Sequence, residues 1–395
     1  MPKRPPGERQ TAGAIGWRYA MYVLVAAVAI STSLSTPAPT SIHAPSSPAM
    51  GSPAPNAIHL TPTASATPTA PLSTAAPPPA AHPPPPPPHP VPAAATVRCL
   101  GPALTSQGQV RPGASYCGGR ATSRIVLASG DTWTKGEVTG TSSAHQEGAV
   151  QCASSCTLVD MNVHDNPNAF AGIYLGTGAV TIAGGRVTDN GSLGIGGSQA
   201  DPLTISGVEI DHNGARADCG REGGGFKGVN EHLHFFGNFV HENNCKGVWL
   251  DINSANVEID HNRIANNLHE GIFYEISHDG LIHDNDVEGN GFKTDGSTCS
   301  WLWGGGITIA SSFNVQIYRN VVRGNCNGIT GTQQNRSDST PPAHVLADLS
   351  IHNNSVIASG KSGAAQDNGV DLATRNITFA HNAIGGGSTF CGIGC

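Results

Sequence analysis

Charge is scarce in this chain: 12% of its 395 residues are charged, 5% are aromatic, and no Asp, Glu, Lys or Arg occurs in residues 19–97. From residue 98 onward 17 basic residues face 27 acidic ones, a balance of −10. A nucleic-acid partner is therefore not expected, because it needs a basic footprint and aromatic platforms. Long apolar runs are also missing. The stretch YAMYVLVAAVAI at residues 19–30 is shorter than the roughly 17–25 apolar residues of an ordinary membrane span. Cysteine is absent before Cys99. What is abundant is glycine (50) and proline (29), a balance that suits a turn-rich β protein better than a helical bundle.

The head places Lys3, Arg4, Arg9 and Arg18 before that apolar stretch and small polar residues after it. Residues 1–35 thus read as a signal peptide or a membrane signal anchor. Residues 36–97, rich in Pro, Ala, Ser and Thr, read as a disordered tether. Either form of the head puts the remainder outside the cell or on its surface, with membrane contact only through the N-terminal segment. The ten cysteines, an even set, fit disulfides formed in an oxidising compartment. Cys219 with Cys245 and Cys299 with Cys326 are expected to staple neighbouring turns of the repeat described next. Cys99 with Cys117, Cys152 with Cys156 and Cys391 with Cys395 are local candidates, since spacing alone does not fix connectivity.

An Asn that ends a short element recurs at Asn166, Asn190, Asn213, Asn244, Asn267, Asn290 and Asn325, with a basic period of about 23 residues and occasional insertions. A second series, Gly followed by an apolar residue, runs in step: Gly172-Ile173, Gly194-Ile195, Gly225-Phe226, Gly247-Val248, Gly271-Ile272, Gly306-Ile307, Gly328-Ile329 and Gly369-Val370. Between the marks, residues alternate as in Val257-Glu258-Ile259, the period of short strands. Such a period belongs to a solenoid in which each turn buries its apolar face only against its neighbours. Strings such as NVEIDHNRIANNLHEGIFYEIS resemble the right-handed parallel β-helix repeats of pectate-lyase-like proteins. That resemblance covers roughly residues 145–385 and implies an all-β, single-stranded right-handed parallel β-helix over residues 145–395, with residues 98–144 as N-terminal cap and first turns. It is specific for fold and not for reaction. The string E-I-D-H at residues 209–212 resembles a pectate lyase motif, yet it recurs at residues 258–261 and so reads as repeat scaffold. His212, His261 and His352, in D-H-N or I-H-N turn strings, read the same way, and no H-x-x-x-H metal spacing appears.

In a parallel β-helix, equivalent residues of successive turns stack about 4.8 Å apart, so outward positions form columns. Counting from Gly, the positions two and four beyond it point outward. The central turns then bring together Lys227, Trp249, Phe273, Asp251 and Glu275, while flanking turns offer mainly small residues. Asp251 and Glu275 are expected as neighbouring carboxylates. Like charges that close raise one pKa and leave the other group ionised, which divides acid from base; the same pair suits Ca²⁺, the one cofactor the sequence suggests. Insertions at residues 214–224 and 291–305 carry Arg221, Lys293, Trp301 and Trp303, residue types that bind sugars by stacking and planar hydrogen bonding. His278, just after Glu275, joins them as a candidate, and a third insertion at residues 331–343 is expected to close one end of the groove. The resemblance, with the groove, implies a monomeric carbohydrate-active protein acting on an extracellular polysaccharide as a lyase, with Lys227 as base, or as a glycoside hydrolase, with Asp251 and Glu275 dividing the roles. The rival expectation is a non-catalytic polysaccharide-binding or adhesin-like surface protein.

Overall fold

The computed structural model describes residues 98–292, 299–336, 344–366 and 375–394. The head and tether, Lys293, Gly369-Val370 and Cys395 lie outside these residues. Among the described residues there are 31 strands and one 3-10 turn, Gln107–Gln109, and no helix is long and apolar enough to cross a membrane. The strands form a sheet of 11 and a sheet of 20, and each pairs in parallel with the equivalent strand one turn away. One full turn reads Gly224–Val229, Leu233–Phe236, Phe239–His241; the next reads Lys246–Asp251, Val257–Asp260, Arg263–Ala265. The first strand of each turn builds the 11-stranded sheet, and the other two build the larger one. This is a parallel β-helix. Its pairing starts within residues 98–144, where Ser115–Cys117 pairs with Asp131–Thr134, and Leu104 packs into the core near that end.

Why the Gly series marks the turns is visible in the register. Ile173, Ile195, Phe226, Val248, Ile272, Ile307 and Ile329 stack in line and are almost completely buried. Each such side chain stabilises the fold by roughly 1.5–3 kcal/mol relative to exposure. The Gly before each of them is needed for room. A Cβ on Gly247 would lie 2.8 Å from the Asn267 side-chain nitrogen, and one on Gly271 2.9 Å from that of Asn290. The Gly and Asn series run in phase because they occupy the same corner.

The Asn residues form a buried ladder: Asn166, Asn190, Asn213, Asn243, Asn267, Asn290 and Asn325, each Nδ2 donating to the next Oδ1 at 2.9–3.1 Å. The sequence reading puts Asn244 in this series; the structure puts Asn243 there. In each corner the residue before the ladder Asn takes the left-handed backbone, and in this turn that residue is Glu242 (φ 53°). A second ladder, Asn238, Asn262, Asn285, Asn320, Asn354 and Asn382, lines the other bend of the larger sheet and is not anticipated from the sequence. In its sheet Asn327–Gln333 pairs with Lys361–Gln366, with Thr330 opposite Gly363, and Gly369-Val370 lies outside the described residues. One further expectation changes. The two E-I-D-H strings are not equivalent repeat positions: Glu209 pairs in register with Arg186 and Phe239, whereas Glu258 pairs with His234 and Leu281.

Among the described residues four disulfides are present, Cys99–Cys117, Cys152–Cys156, Cys219–Cys245 and Cys299–Cys326, and no cysteine is free. They match the expected pairs; the fifth, Cys391 with Cys395, ends outside the described residues.

Candidate active site

The register on the 11-stranded sheet lines up Tyr174, Gly196, Lys227, Trp249, Phe273, Thr308 and Thr330 in one column. Val229 and Asp251 are in register in the next column, as are Glu275, Ala310 and Thr332, and Leu250 opposite Tyr274 carries that column from Asp251 to Glu275. The three charged residues therefore share one face, pointing away from the aliphatic core. Trp249, Phe273 and Ala310 make a separate apolar cluster there, with Trp303 packed against it.

The face is not an open groove. Lys227 is 7% exposed, and Asp251 and Glu275 are 6% exposed each. Insertions lie down on the column because its ammonium groups need oxygen partners once removed from water. The Lys227 Nζ donates to the Arg221 carbonyl at 2.5 Å, and the Lys246 Nζ to the Cys219 carbonyl at 2.6 Å. The Cys219–Cys245 disulfide pins that loop. From the second insertion, pinned by Cys299–Cys326, Trp303 packs its ring 6.1 Å from that of Phe273. From the third, Arg336 pairs with Glu275.

The electrostatics are closely matched. Lys227 lies 2.9 Å from Asp251 and 3.6 Å from the centre of the Trp249 ring, while Lys246 sits 4.1 Å from the same ring and 4.0 Å from Glu270. The Trp249 indole donates to Glu275 at 3.2 Å. Lys227, Lys246 and Arg336 thus balance Asp251, Glu270 and Glu275. Burial raises the Glu275 pKa, and the Asp251 charge adds to this, with Arg336 opposing. Burial lowers the Lys246 pKa. Burial alone would raise Glu270, but Lys246 and a 2.9 Å bond from the Gly304 amide outweigh it and hold this carboxylate below its usual range. A Ca²⁺ ion at Asp251 and Glu275 would have to displace an ammonium and a guanidinium, and the surrounding donors are cations rather than the 6–8 oxygens calcium takes.

The expected sugar-binding residues divide. Trp249, Phe273 and Trp303 come together. Arg221 contributes only its carbonyl, its guanidinium being exposed beside Asp218. Trp301 stays apart, with the Lys361 ammonium 5.2 Å from its ring. His278 is excluded: the left-handed Ile276 (φ 38°) turns the chain, and His278 opens a strand of the other sheet, where it stacks on Phe313 at 5.0 Å. Lys293 lies outside the described residues. Lys246 and Glu270 were missed, although each directly precedes a Gly of the central turns, where the chain bends and simple alternation does not apply. Arg336 carries no signal beyond its place in an insertion.

Open space adjoins one end. Because Gly196 separates Tyr174 from Lys227 in the column, a cavity of about 150 Å³ remains, lined by Tyr174, Ser198, Glu222, Lys227, Val229 and Ile252 among others. Burial, with Glu222 and Glu231 nearby, pushes the Tyr174 hydroxyl up to about 12, so it stays a proton donor.

Residues 149–322 match the family model described as right handed beta helix region. Over these residues the chain is a right-handed parallel β-helix. The resemblance drawn from the repeat strings therefore holds for the fold of this β-helix. No curated protein matches it. Among solved structures it is similar to the periplasmic alginate epimerase AlgG (16% identity, 73% of this chain and 64% of that one, TM-score 0.43). It is also similar to the A-module of the Azotobacter vinelandii mannuronan C-5 epimerase AlgE6 (13%, 70% and 90%, 0.40) and to pectate lyase Pel9A (13%, 73% and 72%, 0.40).

Proposed function

We propose that this β-helix protein is exported and carbohydrate-active, and that it hydrolyses a glycosidic bond of an extracellular polysaccharide at Asp251 and Glu275. One observation carries the reading. Carboxyl groups of adjacent turns occupy unlike environments: burial raises the Glu275 pKa, whereas Asp251 forms an ion pair with Lys227 at 2.9 Å. That is the division a glycosidase needs, with Glu275 as the acid that protonates the leaving oxygen and Asp251 as the base or nucleophile. Stacking of turns at about 4.8 Å favours the short carboxyl separation of retaining enzymes. The Lys227 ammonium, 2.9 Å from Asp251, also lines the adjoining cavity and would partner an acidic sugar entering it. The paired cysteines support export to an oxidising compartment.

A second reading is favoured by the burial itself: every charge of the column already has a partner, as in a surface that only binds. Incubating the full chain with a panel of neutral and uronate polysaccharides separates the two. New reducing ends without unsaturated sugars are the expected result. Unsaturated uronates would replace hydrolysis by elimination, and retention on a polysaccharide without any product would make the protein a binder.

A further inference from the structure

The larger sheet carries a second constellation that the hydrolytic reading does not use. Glu258 and His234 lie on its outer surface, their side chains each 43% exposed, and Asp260 lies buried beside them. One oxygen of each carboxylate and the His234 Nε2 lie within 4.8 Å of one another: Nε2 is 2.8 Å from Asp260 Oδ1 and 3.9 Å from Glu258 Oε2. The remaining oxygens are held from behind. His283 Nε2 is 3.0 Å from Glu258 Oε1, and His261 Nδ1 is 2.5 Å from Asp260 Oδ2. His283 is fixed in turn by Asp284, 2.8 Å from its Nδ1. The His234 ring is set by stacking on Phe236 at 4.3 Å.

The other E-I-D-H string gives an internal control. Glu209, Asp211 and His241 are similarly close, but Arg186 occupies the place of the imidazole. Its guanidinium takes both oxygens of Asp211, at 2.9 and 2.6 Å, and lies 3.7 Å from Glu209. That carboxylate pair is already neutralised. Around Glu258 and Asp260, among the described residues, the ion-pair partners are histidines alone. An imidazole, unlike a guanidinium, can itself serve as a metal ligand.

We propose that His234, Glu258 and Asp260 form a binding site for a divalent transition metal of the zinc type. The donor set, one imidazole nitrogen and two carboxylate oxygens, suits zinc, and three protein ligands leave a coordination position open. His283 and His261 hold the ligating carboxylates from their far oxygens, the outer-shell arrangement metal sites use to orient ligands. Glu258 also lines a cavity of about 410 Å³ with Asp279, Leu281, Asn314 and Gln316, on the side of the next turn. This site is independent of the chemistry proposed at Asp251 and Glu275.

The test is zinc uptake by the purified full chain, dialysed against micromolar ZnCl₂ and measured by metal analysis, with circular dichroism to confirm folding. His234→Ala and, as a second variant, Glu258→Gln are expected to hold about one ion per chain fewer than the unaltered protein. His241→Ala is expected to hold as many as the unaltered protein, and His283→Gln to weaken affinity by about 10–100-fold. Equal zinc content in the unaltered chain, His234→Ala and Glu258→Gln would overturn the proposal, as would a loss that appears in His241→Ala instead.

Discussion

Two faces of the same coil treat charge in opposite ways. On the 11-stranded sheet, Lys227, Asp251 and Glu275 are buried beneath insertions; on the larger sheet, the Glu258 and Arg263 side chains are about half exposed. The repeat is the same and the register equally regular, so the repeat does not decide the electrostatics. The connections do. Insertions supply carbonyls for Lys227 and Lys246 and a guanidinium for Glu275, turning an outward column into a second, polar interior. In that interior an unpaired charge costs several kcal/mol, whereas a surface ion pair contributes about 0–1 kcal/mol.

The comparison presumes one stiff frame behind both faces, and the largest expected effect comes from breaking it. Asn267→Ala removes the acceptor of the Asn243 backbone and side-chain amides and the donor to the Val240 carbonyl. With each of these three buried orphans costing about 1–3 kcal/mol, the loss should total roughly 3–9 kcal/mol in a denaturant titration. A change below about 1 kcal/mol would mean that the ladder is dispensable.

The second effect sharpens the contrast from inside. Glu231 is fully buried, and burial, opposed by the backbone of Ala200 and Val229, pushes its carboxyl up to about 8. A carboxyl whose folded pKa is raised contributes stability that is fully present below its unfolded pKa of about 4.5 and is lost as pH rises through about 8. Unfolding free energy should therefore fall between those pH values, on the order of 3–5 kcal/mol from this group. In Glu231→Gln that slope should flatten. An unchanged slope would show that other groups carry the pH dependence. The smallest effect belongs to the larger sheet: Arg263→Ala, which breaks an exposed pair with Glu288 at 2.6 Å, should change stability by less than about 1 kcal/mol. A loss several times larger would erase the distinction between the faces.

Much of this architecture is legible in the sequence because it is written in local, repeated requirements. Gly247 and Asn267 must share one corner, and Ile272 must follow a glycine; each requirement recurs every turn. The column of Lys227, Trp249 and Phe273 follows from counting. What counting does not give is the cover. Arg336 meets Glu275 across 61 residues of chain, and nothing in its neighbourhood announces that contact. His278 fails as a candidate for the converse reason: three residues from Glu275 in sequence, it lies beyond a bend and on another sheet. The identical strings at 209–212 and 258–261 read alike, yet their chemistry is set by what the adjacent turn presents, Arg186 in one case and His234 in the other.

The claim on which the functional account rests is that Asp251 and Glu275 act as a catalytic pair. Its most direct test is kcat/KM of Glu275→Gln and Asp251→Asn against the unaltered chain, on the polysaccharide that yields products, with folding of each variant verified. The account predicts a loss of at least about 100-fold in each. Full activity in both folded variants would contradict it and move the chemistry to another face of the coil.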